Sequence, residues 1–365
     1  LKATFEQFYK RVFALAEHLR DEGIDLAILF DPANIRYFSG LRLNRAVSSI
    51  FVINRNGEAA YIVPILELER AKSDCWVEQI IPFPEDASNY LEVLHKPLKG
   101  VEVLGIEGDS ITHFQITCLK DICNKVRFKP IDRHLADLRA VKSQEEIELI
   151  KKAAEIADKA MKKALKMAVE GVREVEVSSY AEYVMKLEGA EGASFEPFLM
   201  SGENAWLPQR ISSDKKLREG ELILFDLGAI YQGYCSDLTR TFSLGGLNEK
   251  QKKIFKVAYK AQQAAIDAIR PARKAEEIDQ VAREVIKKEG LERYFPHLTG
   301  HGVGLSIHEE PIIDQHTNKV LKPDMVVTIE PGIYLPGVGA ARVEDMVLIT
   351  KSGCEVLTKT KKDLI

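Results

Sequence analysis

The run Leu222-Ile223-Leu224-Phe225-Asp226-Leu227, the turn Tyr231-Gln232-Gly233 and the returning stretch Tyr234-Cys235-Ser236-Asp237-Leu238-Thr239-Arg240-Thr241 decide the fold of this chain. An apolar run of this length beside a turn signal reads as one strand of a buried hairpin. A hairpin closing around Tyr231 and Gln232 pairs positions whose numbers sum to 463, which sets Asp226 directly opposite Asp237. Opposed residues bring their Cβ atoms to about 4.5 to 5.5 Å, where like charges are destabilising unless something positive lies between them.

The same construction recurs downstream. Glu330 ends the run Val326-Val327-Thr328-Ile329, and Glu344 lies in Ala341-Arg342-Val343-Glu344-Asp345-Met346-Val347-Leu348. Their midpoint is Gly337, inside the turn-rich Leu335-Pro336-Gly337-Val338-Gly339. Two hairpins, each with facing acids, point to a divalent-metal site.

Two helices precede each hairpin. Ser143 followed by Glu146 is a capping box, opening a helix with apolar Ile147, Ile150, Ala154, Ala157, Met161 and Leu165. A second helix is expected over 174–187, a third over 248–270 before Pro271, and a fourth over 275–289 before Gly290. Asp226 and Glu330 are 104 positions apart, and Asp237 and Glu344 are 107 apart. The pattern is helix, helix, hairpin, duplicated, with the acids where two half-domains meet.

Residues up to about 132 have a different rhythm. An amphipathic stretch over 5–21 leads into Asp25-Leu26-Ala27-Ile28-Leu29-Phe30, with strand candidates at 49–53, 60–63 and 101–106 and a turn at Arg55-Asn56-Gly57. This gives an α/β domain over 1–132 ahead of a second domain over 133–365. His18, His95, His113 and His134 stand isolated in the first domain and read as surface or packing residues.

A chain of 365 residues with 45% hydrophobic and 29% charged residues is an ordinary globular protein of two domains. A net charge of -4 gives no reason to expect nucleic acid or an anionic membrane as partner. The basic segment 351–362 reads as a solvated end. Five scattered cysteines lack zinc-type spacing and read as reduced. No apolar run approaches the ~18 residues of a membrane span, and the first residues do not resemble a secretory signal, so the expected location is cytoplasmic.

Between the last helix and the second hairpin lies Thr299-Gly300-His301-Gly302-Val303-Gly304-Leu305-Ser306-Ile307-His308-Glu309-Glu310-Pro311. Glycines on both sides of His301 allow close backbone approach, as suits a ligand projecting into a crowded site. A phosphate loop is the weaker reading, because no Gly-Lys-Ser/Thr ending follows. Four carboxylates, Asp226, Asp237, Glu330 and Glu344, would be neutralised by two divalent cations. Carboxylates with one imidazole suit Mn, Co, Zn or Fe.

At these residues the chain resembles the pita-bread metallopeptidases, the creatinase, aminopeptidase P and prolidase family. The resemblance rests on Phe225-Asp226-Leu227-Gly228, the Asp237 segment, Gly300-His301-Gly302-Val303-Gly304, Ile329-Glu330-Pro331-Gly332 and Arg342-Val343-Glu344-Asp345. A weaker likeness to the prolidase N-terminal domain lies in Asp31-Pro32-Ala33-Asn34-Ile35-Arg36-Tyr37-Phe38-Ser39-Gly40. It implies an α/β N-terminal domain plus an α+β pita-bread catalytic domain. It also implies a metal set of Asp226, Asp237, His301, Glu330 and Glu344, with Glu330 as proton shuttle, His308 steadying the intermediate, and His297, Gln209 and Arg342 on the substrate side. Gln209 and Ile312 depart from the prolidase pattern, standing where relatives carry histidine and arginine. The implied activity is cleavage of the bond between an N-terminal residue and proline, in dipeptides or short peptides, by a homodimer. The alternatives are an Xaa-Pro aminopeptidase, a same-fold metal hydrolase of a non-peptide amide, and a non-catalytic binding protein.

Overall fold

A computed structural model describes residues 5–43, 47–84, 90–206 and 211–362. The chain divides into two compact units, Leu1–Arg139 and Ala140–Ile365.

The first unit is built on a six-stranded mixed sheet. Leu26–Leu29 lies inside it, antiparallel to Ile50–Asn54 and parallel to Val103–Ile106. All four residues of Leu26–Leu29 are buried, so the run is continuously apolar rather than alternating, as expected where both faces of a sheet are covered. Two further strands, Gln79–Phe83 and Arg127–Pro130, form the edges and were not marked by the sequence pattern. Each carries a proline, which an edge tolerates because one row of its backbone groups has no ladder partner. The Asp31 motif forms the helix Pro32–Ser39. Asp31 caps it by accepting from Ala33 and Asn34 N–H, and Gly40 closes it at φ 74°. His18 and His134 are not isolated: their rings stack 3.8 Å apart and nearly parallel.

In the second unit the duplication is explicit. Gln144–Met167 and Glu174–Leu187 form the first helical pair, Glu249–Ala268 and Ala275–Lys288 the second. Capping boxes recur at Ser143 with Glu146 and at Asn248 with Gln251. The short bridges Arg173 to Lys216 and Lys274 to Val320 repeat the match outside any motif. Each helical pair shares an apolar core with its own hairpin, Met161, Met185, Phe225 and Leu227 in one half and Phe255, Ile286, Val327 and Ile329 in the other.

The two hairpins differ in register. In the second, Ile329 pairs with Asp345 and Gly332 with Arg342, so Glu330 and Glu344 face each other as expected. In the first, Asp226 pairs with Thr239 and Tyr231 with Tyr234, a register whose numbers sum to 465 rather than 463. The turn sits at Gln232-Gly233, both with positive φ, the geometry that two-residue hairpin loops favour. A shift of two keeps every side chain on its face, so Asp237 is a diagonal neighbour of Asp226 rather than its direct partner.

The expectation of a solvated tail also fails. Cys354–Val356 adds a strand beside Asp345–Ile349, and beyond it Leu357, Thr358 and Thr360 are buried.

Candidate metal centre

Backbone geometry brings His301 to the acids. Gly300–Gly302 is a short strand between Glu309–Ile313 and Val326–Ile329. A Cβ at Gly300 would lie 1.9 Å from the Thr328 carbonyl oxygen, and one at Gly302 would lie 2.2 Å from that of Glu310. The flanking glycines are therefore required by close approach, which lets the His301 strand lie tightly between its two neighbours.

The ring is oriented from behind. His301 Nδ1 lies 3.0 Å from the Gly302 carbonyl, which can only accept, so Nδ1 carries the proton. Nε2 then faces Glu330 Oε1 at 3.2 Å and Asp237 Oδ2 at 3.5 Å. Donor atoms of Asp237, His301 and Glu344 all lie within 4.8 Å of one another.

Two threonines fix the carboxylates. Thr239 Oγ1 donates to Glu344 Oε2 at 2.6 Å, and Thr328 Oγ1 accepts from His301 N–H while donating to Glu330 Oε1 at 3.2 Å. Arg342 Nε donates to Thr239 Oγ1, Nη1 to the Tyr334 hydroxyl, and Nη2 pairs with Asp226. Tyr334 Oη is 3.1 Å from His297 Nε2, and His297 Nδ1 is 2.7 Å from the Leu298 carbonyl. A connected path therefore runs from Asp226 through Arg342 and Tyr334 to His297. His308 packs edge-on against His301, with ring centroids 4.3 Å apart.

Electrostatics show what this arrangement suits. Burial and then the charges of Glu344, Asp226 and Glu330 push the Asp237 carboxyl well above its ordinary range. Burial, Glu330 and Asp226 do the same to Glu344. Glu330 goes the other way: burial raises it, but while no ion takes Nε2 a protonated His301, by its hydrogen bond and then its charge, holds it down at about 2, with Arg342 adding to the effect. Glu344 Oε1 is buried with no hydrogen-bond partner among the described residues. Like-charged buried carboxylates, an imidazole presenting a bare nitrogen and an oxygen without a donor together fit a divalent cation.

Of the sequence-based candidates, Asp226, Asp237, His301, Glu330, Glu344, His308, His297 and Arg342 gather here, whereas Gln209 and the neighbouring Arg210 lie outside the described residues. Ile312 is half-buried on the strand that follows His308. Thr239, Thr328 and Tyr334 were missed. For Tyr334 a signal existed, because the register that opposes Glu330 to Glu344 also sets Tyr334 within the same hairpin, opposite Ala340.

Comparison with known proteins adds independent support. Residues 148–351 match the description metallopeptidase family M24, and residues 11–141 match the creatinase/prolidase N-terminal domain. The chain is 42% identical to an Xaa-Pro dipeptidase of Pyrococcus furiosus, over 98% of this chain and 99% of that one. The solved prolidase of Pyrococcus horikoshii superposes with a TM-score of 0.92 at 40% identity, covering 98% of this chain and 100% of that one. An X-Pro aminopeptidase structure from Thermotoga maritima matches with a TM-score of 0.84 at 30% identity, covering 94% and 99%.

Proposed function

Because the chain belongs to metallopeptidase family M24, we propose that it is a two-metal hydrolase cleaving the bond between an N-terminal residue and proline, with Xaa-Pro dipeptides preferred. The observation that carries this reading is the buried cluster of Asp237, His301 and Glu344, with Glu330 against His301. The substrate is supported by the names of relatives at 42% and 40% identity over nearly the whole chain.

Asp226, Asp237, His301, Glu330 and Glu344 would hold the ions, which are Mn, Co, Zn or Fe. When bound, such ions lower the pKa of a water and polarise a carbonyl. Glu330, steadied by Thr328, takes up a proton at Oε1 or Oε2 and passes it to the leaving amine. His308 donates to the developing oxyanion. His297, Gln209 and Arg342 are the proposed substrate-side groups, Arg342 acting through Tyr334. The catalytic domain in this reading is 133–365, and the enzyme is a cytoplasmic homodimer. Among the described residues, no helix is long and apolar enough to cross a membrane.

Metal-stripped protein should be inactive on Xaa-Pro dipeptides and recover with Mn or Co. Metal-loaded protein that turns over no Xaa-Pro peptide would overturn the substrate assignment, and a preference for longer peptides would favour the aminopeptidase alternative that the Thermotoga structure suggests.

A further inference from the structure

Arg240 is fully buried, yet no step above uses it. Its Nη1 donates to the carbonyls of Thr239 and Glu344, and Nη2 pairs with Asp345 Oδ1 at 2.8 Å. The remaining donors run to the chain's end: Nε to the Thr360 and Lys361 carbonyls at 3.0 and 3.1 Å, and Nη2 to Thr360 at 2.6 Å. One guanidinium thus ties the first hairpin, the residue before Asp345 and the terminal strap together.

The strap is held from two further sides. Asp158, on the first helix of the second unit, accepts from Lys359 N–H and from both N–H and Oγ1 of Thr360, each at 2.6 Å. Asp345 accepts from Thr358 Oγ1 and Gln262 Nε2, each at 2.7 Å, and pairs with Lys362. A buried guanidinium is tolerated only while its donors are satisfied, so loss of the strap's carbonyls would force Arg240 to move. Arg240 holds the Glu344 carbonyl, and Thr239 holds both the Glu344 N–H and its Oε2.

We propose that the strap of residues 357–362, clasped by Asp158, Arg240 and Asp345, is a positioning element that sets Glu344 against Asp237 and so tunes metal affinity from outside the ligand set. This rests on the metal-site reading above. Outer-shell partners of metal ligands typically change affinity by about 10- to 100-fold.

Mn2+ titration by calorimetry, at a temperature where circular dichroism matches the parent, separates the possibilities. Asp158→Ala should weaken Mn2+ binding about tenfold or more, while Asp158→Asn, which keeps one acceptor oxygen, should recover part of it. Thr360→Val, which removes only the hydroxyl donor, supplies a milder variant if Asp158→Ala does not fold, and it should weaken binding less. A variant that melts earlier but binds Mn2+ as tightly as the parent makes the strap merely structural and overturns the proposal. A parent that binds no Mn2+ would instead overturn the metal-site reading itself.

Discussion

The two hairpins share one plan and do different work. In the second, a three-residue loop over 336–338 centres the register so that Glu330 and Glu344 face each other, both in the gap between two ladders. In the first, the two-residue loop Gln232-Gly233 slides the register by two, leaving Asp226 within the ladder opposite Thr239. The second hairpin thus presents Glu330, the proposed proton carrier, against His301 and the Thr328 hydroxyl. The first presents Asp226 paired to Arg342, a group suited to holding charge in place. Duplicated halves diverge most cheaply at turns, because a shift of two residues moves a ligand without turning it to the other face.

The sharpest way to break this comparison is to neutralise one acid in each hairpin. Glu330→Gln removes the proposed proton carrier, and kcat should fall by about 10²- to 10⁴-fold with the fold intact by circular dichroism. Asp226→Asn should instead act chiefly through weaker metal binding, so excess Mn2+ should restore much of its activity and none of that of Glu330→Gln. Equal rescue of both would erase the distinction.

Next in size is Thr239→Val. It removes the donor to Glu344 Oε2 and the acceptor for Arg342 Nε, leaving two buried charged groups short of a partner. Mn2+ affinity should fall about 10- to 100-fold, measured by competition with a chelating dye; an unchanged affinity would mean that the threonine only packs.

A smaller effect is expected at the second turn. Gly337 has φ 71° and open space where a Cβ would stand, so Gly337→Ala should cost only the left-handed backbone penalty, about 1–2 kcal/mol. Chemical denaturation should show that loss while metal affinity stays at the parent value.

The pH dependence is the mildest test. Asp237 and Glu344 have raised carboxyl pKa values in the folded, metal-free protein, so that state holds more protons than the unfolded chain above the ordinary carboxylate range. Their contribution to metal-free stability therefore falls as pH rises. Ions displace those protons, so the gain in Tm on adding Mn2+ should grow as pH rises above the ordinary carboxylate range. A gain that shrinks as pH rises there would contradict the upward shifts.

Much of this was legible in the sequence because it was carried by spacing. The helical pairs showed through the cap at Ser143 and the stops at Pro271 and Gly290, and the second hairpin's register followed from Gly337. The first register was misjudged because Tyr231-Gln232-Gly233 offers two neighbouring turn positions, and only the positive φ of Gln232 selects one. Thr239 and Thr328 were invisible for another reason: threonine is a common strand former, and nothing in its spacing announces a hydroxyl aimed at a carboxylate. The tail was misread because lysines dominate its composition, while the groups that bury it are two threonines and backbone amides met by Asp158. Gly300 and Gly302 were read correctly as close-approach glycines, although which carbonyls they meet depends on strands far along the chain.

The most direct measurement is a calorimetric titration of metal-stripped protein with Mn2+, repeated on His301→Ala. Two ions per chain in the parent, with the tighter-bound complement lost or strongly weakened in the variant, is the expected result. A parent that takes up no ion, or a variant that binds two as tightly as the parent, would contradict the metal centre described here.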